Sequence, residues 1–155
     1  MPGRPGPFGA IVDETARAAD GYCRALEAFS MEQFIAERPS PDPDTTSLRA
    51  LARHVQRAAY GYASYILAAR QIEPPAEIAW RDRTIETPAD VRPRVRESLL
   101  FTELALEGLW DIDDAALNAL KFNVRWGPTY DPEMMLEHGI CHFLRQRRQI
   151  ERWGQ

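Results

Sequence analysis

The feature that most limits what this chain can fold into is the alternation of long, helically periodic stretches with clusters of proline. Pro39, Pro41 and Pro43, and later Pro74 and Pro75, fall between segments whose apolar residues recur every third or fourth position. A proline inside a helix removes a hydrogen bond and clashes with the preceding turn, so helices end at these places. Helix one is expected from about Ile11 to Ile35, with Val12, Ala16, Ala19, Cys23 and Leu26 on one stripe. Helix two is expected from Thr45–Ser47, which suit an N-cap, to about Arg70. Thr87-Pro88-Ala89-Asp90 reads as cap, N1 proline and acidic N3, opening a third helix that runs to about Leu109. Pro93 falls inside that helix and is expected to kink its first turns. Asp131-Pro132-Glu133 opens a fourth, running to about Trp153, with Gly154 placed to stop it.

Between helices three and four a short helix is expected at Asp113–Leu120, then an irregular NVRWGPTY segment. Residues 1–8 read as a loose or docked arm, and strand signals are weak throughout. The expectation is an all-α fold: one domain over residues 1–155, a four-helix bundle with a long crossover, Gln71–Glu86, between helices two and three.

Several function classes fall away on composition. The formal net charge is −4, against what a phosphate-neutralising nucleic-acid binder requires. The local basic run of Arg145, Arg147, Arg148 and Arg152 lies in the last turns of helix four, where cations offset the helix dipole. No apolar run approaches the roughly 20 residues of a membrane span, and MPGRPGPFGA lacks a signal-peptide core, so a cytoplasmic location is expected. Two cysteines, Cys23 and Cys141, are too few for a disulfide framework and read as buried thiols. No dinucleotide fingerprint, phosphate loop, nucleophile elbow or cysteine-rich zinc pattern is present.

The three histidines are the informative residues. His138 and His142 are spaced i, i+4, which on a helix sets them one turn, about 6 Å, apart on one face. The pair alone is weak. His54 lies on a helix-two stripe with Ala50, Ala58, Gly61 and Tyr65, small or apolar neighbours that point it inward and leave room for a cavity. Three inward imidazoles with few polar neighbours would be costly, and one shared metal ion satisfies them together. Three nitrogen ligands leave a position open for water or substrate, and imidazole suits zinc, nickel, copper or ferrous iron.

Lesser candidates surround them. Cys141 could touch the site or be a packing thiol. Arg145 could hold a substrate carboxylate bidentately or close a salt bridge at the bundle mouth. Tyr65 sits three turns from His54, suited to core or rim. Glu137, about 100° from His138, reads as a solvated carboxylate, and Trp110, Trp126 and Trp153 as packing residues. On the back of helix four, Leu136, Ile140, Phe143 and Ile150 form a second apolar face, which motivates a homodimer.

The segment MMLEHGICHFLRQRRQIERW, preceded by RWGPTYDPE, resembles the last helix of the DinB/YfiT-like family of metal-dependent bundle proteins. LARHVQRAAYGYASY matches that family's histidine-bearing, small-residue stretch in helix two. The resemblance implies a metal triad at His54, His138 and His142, holding one divalent ion, with zinc or nickel foremost and iron as an alternative. It also implies a dimer and a small-molecule substrate. Members of known activity are thiol transferases or isomerases that use a low-molecular-weight thiol. Where many relatives carry a further histidine, this chain has Gln146. Two alternatives to a thiol S-transferase stand beside it: a metal-dependent hydrolase, and a non-catalytic metal- or ligand-binding stress-response bundle.

Overall fold

The computed structural model describes residues 3–76 and 84–153. Among them are six α-helices: α1 (Gly6–Glu27), α2 (Met31–Ile35), α3 (Leu48–Ala69), α4 (Pro88–Ala105), α5 (Asp114–Ala119) and α6 (Pro132–Glu151). A 3-10 turn at Pro43–Thr45 and a two-stranded antiparallel ribbon, β1 (Phe122–Asn123) with β2 (Thr129–Tyr130), complete the elements. The chain is thus mostly helical, as expected. No helix among the described residues is long and apolar enough to cross a membrane.

Local chemistry explains most boundaries. Ser47 caps α3 by accepting from the Ala50 amide at 3.0 Å. Thr87 and Asp90 form a capping box at α4, and Asp131 accepts from the Met134 amide at α6. The α4 helix continues through Pro93 and ends at Ala105, where Leu106 closes it and Gly108 takes a φ of 82°. Gly154 lies outside the described residues, as does part of the expected crossover, residues 77–83.

The first helix differs from expectation at both ends. It begins at Gly6, because Pro5 and Pro7 suit a helix start, and Phe8 is 2% exposed, so the described part of the arm is docked. Arg4 fastens it, reaching Asp13 and Glu103. The helix breaks at Ala28 because Ser30 and Gln33 form a reciprocal capping box that starts α2. That separate turn delivers Phe34 into the core at 0% exposure.

The four long helices pack α1 on α6, α3 on α4, α1 on α4 and α3 on α6. Arg92 near the start of α4 pairs with Glu27 at the end of α1, so these two run antiparallel. Arg53 early in α3 reaches Ile85 and Glu86 just before α4, and Arg70 after α3 reaches the Ala105 carbonyl, so α3 and α4 run parallel. The end of α3 at Ala69 and the start of α4 at Pro88 therefore lie at opposite ends of this pair, about 30 Å apart by the length of α3.

The second apolar face of α6 packs inside this chain. Leu136, Phe143 and Ile150 are 5%, 3% and 0% exposed, and Ile140 packs against the same core. Met135 and Gln146 share the burial, whereas Met134 is exposed.

Candidate functional site

The α3 stripe of Ala50, His54, Ala58, Gly61 and Tyr65 turns out to be half-buried, one step round the helix from the core positions Leu51, Val55 and Ile66. It forms the floor of a cleft of about 580 Å³. A Cβ at Gly61 would meet nothing within 4 Å, so the missing side chain leaves open space. One wall comes from His138 on α6, and the other from the ribbon, which carries Arg125 and Trp126. Gly127, with φ 116°, and the bond from its amide to the Val124 carbonyl at 3.0 Å make the tight turn that lifts these residues over α3. The Arg125 amide donates to the Tyr65 hydroxyl at 3.0 Å, and Tyr65 stacks on Phe122 with centroids 5.6 Å apart, tying ribbon to helix.

His54 and His142 face each other across the α3–α6 contact with ring centroids 5.2 Å apart. Two imidazoles bound to one tetrahedral ion, with nitrogens about 2 Å from it, put their centroids about 5 Å apart. The Nδ1 atom of His54 lies 2.8 Å from Asp44 Oδ2, and the other Asp44 oxygen accepts from Arg57. Such a carboxylate accepts from Nδ1–H and fixes the tautomer, leaving the lone pair of Nε2 free. The Nε2 atom of His142 is buried with no hydrogen-bond partner. Burial, then the charges of His54, His138 and Arg145, push the His142 pKa down to about 4, so the neutral, ligating form prevails. Burial lowers that of His138 too. His138 stacks on Trp126 at 5.1 Å, with its Nδ1 3.4 Å from the Tyr130 hydroxyl.

The donor set, the 5.2 Å spacing and the orphaned His142 nitrogen fit a metal ion. As the side chains stand, however, no three His, Cys, Asp or Glu groups among the described residues form a ready-made ion site.

The lesser candidates divide. Tyr65 lines the cleft. Arg145 is exposed and does not line it, although its charge bears on His142 and Tyr62. It borders instead a shallow surface hollow with Arg148 and Arg152. Cys141 is exposed, not buried, while Cys23 is buried and its thiol is pushed up to about 12 by desolvation. Glu137 is exposed as expected. Trp126, read from the sequence as a packing residue, is 42% exposed and lines the cleft.

Four residues at the site went unnoticed in the sequence: Asp44, Arg57, Tyr62 and Arg125. Tyr62 stands edge-on to both His138 and His142, at 5.1 and 5.7 Å, and burial raises its phenol to about 12. A signal for Asp44 existed, since Asp42 and Asp44 sit in a proline turn directly before the histidine-bearing helix. Arg125 had none, because its place depends on the ribbon. Comparison with family models, with curated proteins and with solved structures found no match.

Proposed function

We propose that this chain is a DinB/YfiT-like four-helix-bundle protein, a single domain with a long crossover. In this reading it binds one divalent ion through His54, His138 and His142 and acts as a metal-dependent thiol S-transferase on small molecules. The observation that carries the reading is the buried, unpartnered Nε2 of His142 opposite His54. An orphaned buried nitrogen costs about 1–3 kcal/mol, and a metal bond removes that cost.

The ion, zinc or nickel by ligand type with iron as the alternative, would supply a thiolate at neutral pH by stabilising its charge. The chain's own residues do the rest. Asp44 holds His54 in the tautomer whose Nε2 is free. Tyr62 packs against both α6 histidines and limits their rotation. Tyr62 stays protonated at neutral pH because its phenol is raised to about 12, so its hydroxyl is a donor and not a base. The cleft above Ala58 and Gly61 admits a small molecule to His54 and His138, which line it. The same opening would serve a hydrolase, with water in place of thiol.

Metal content of untagged protein beside His142→Ala, measured by plasma emission, tests the reading. About one equivalent in the parent and little in the variant is expected. No metal in either, after incubation with zinc, nickel and ferrous iron, overturns it and leaves a ligand-binding bundle without a metal.

A further inference from the structure

The walls of the cleft say more about its ligand than the histidines do. Its Asp44 carboxylate is fully engaged, one oxygen by His54 and the other by Arg57. Arg125 is different: it lines the same space, and its guanidinium makes no ion pair among the described residues. Its backbone is nevertheless pinned by the Tyr65 hydroxyl, so the side chain starts from a fixed point on the rim. Aromatic rings form much of the remaining surface. Trp126 is 42% exposed there, and Tyr62 and Tyr65 meet its ring edge-on at 6.3 and 6.0 Å. An unpaired guanidinium beside flat apolar walls suits one negative charge on one planar group, because the planar fork of arginine matches a carboxylate bidentately.

We infer that the cleft selects a small, flat monocarboxylate, with Arg125 as the residue that binds its carboxylate and Trp126 and Tyr65 as the walls that bind its plane. This rests on the cleft being the reactive site of the proposed function, and it names the substrate class of that site. Arg145, the arginine singled out by helical spacing, is replaced in this role by one on the ribbon. The acid group anchors at the rim while the far end of the molecule reaches toward His54 and His138, the histidines that line the cleft.

The probe is benzoate, with neutral benzamide as its near-isostere, titrated by calorimetry against protein stripped with chelator and against protein reloaded with zinc. Stripped parent protein is expected to bind benzoate at least tenfold more tightly than benzamide. Arg125→Ala is expected to lose that preference, Arg125→Lys to keep part of it, and Arg148→Ala, at the far end of α6, to keep all of it. Circular dichroism melts of the Arg125 variants exclude misfolding as the cause. Equal binding of benzoate by parent and Arg125→Ala overturns the inference, as does an absence of preference for the acid. Benzoate binding that appears only with zinc and ignores Arg125 also overturns it, while leaving the metal reading intact. An Arg125-dependent preference in a protein that takes up no metal supports the inference and sinks the metal reading alone.

Discussion

His142→Leu should make the metal-free protein more stable while abolishing its response to metal. The reasoning starts from two facts: Nε2 of His142 is buried without a partner, and its pKa is depressed to about 4. Replacing an orphaned buried nitrogen by a hydrocarbon of similar size recovers about 1–3 kcal/mol, which for a chain of this size is roughly 2–10 °C in Tm. A pH dependence comes on top. An unfolded histidine titrates near 6.5 and the folded one near 4, so the unfolded chain binds the extra proton between those values. Stability from the neutral ring is therefore present above about pH 6.5 and lost as pH falls toward 4, by at most about 3 kcal/mol at this degree of burial. The leucine variant has no such proton to bind, so its advantage over the stripped parent should widen across that window. Urea unfolding of both proteins, in chelator, at pH 7.5, 6, 5 and 4.5 measures the gap directly. Zinc should then raise the parent's midpoint by mass action and leave the variant's unchanged. A variant less stable than the stripped parent at pH 7.5, or a gap that does not change with pH, would refute the reasoning.

The remaining expectations concern other parts of the molecule. Asp44→Asn keeps the shape of the contact with His54 but not its charge, and should weaken zinc binding about 10- to 100-fold in competition with a chromophoric chelator. Ser30→Ala breaks the capping box of α2 and should cost about 1 kcal/mol in urea unfolding, whereas Phe34→Ala should cost about 3–5 kcal/mol because that side chain is fully buried. A thiol reagent should modify Cys141 quickly in the native protein and Cys23 only on unfolding, since Cys23 is buried with its thiol raised to about 12.

Much of the fold was legible because its signals are local. Ser47, Thr87 with Asp90, and Asp131 with Pro132 each announce a helix start by satisfying amides within three residues, and all three starts stand where they were expected. The break between α1 and α2 was just as local: Ser30 with Gln33 is a capping box, overlooked because the apolar stripe ran on through it. Faces were less legible. On α6 the histidine stripe was read as the inward one, yet Met135, Leu136, Phe143 and Ile150 are the buried side and the histidines sit at its margin. A helical wheel orders residues around an axis but has no zero. Which angle meets a neighbour depends on the helices packed against it.

The sequence by itself therefore determined the helical class, the caps and the i, i+4 relation of His138 to His142, since each is settled within a turn or two of backbone. Only the tertiary structure decided that His54 meets His142, because these residues come from antiparallel helices. Its packing also decided that Asp44 orients His54, and that Arg125 and Trp126 on a short ribbon close the cleft while Arg145 stays outside. Contacts between residues far apart in the chain are set by how the elements pack, and no local periodicity encodes that geometry.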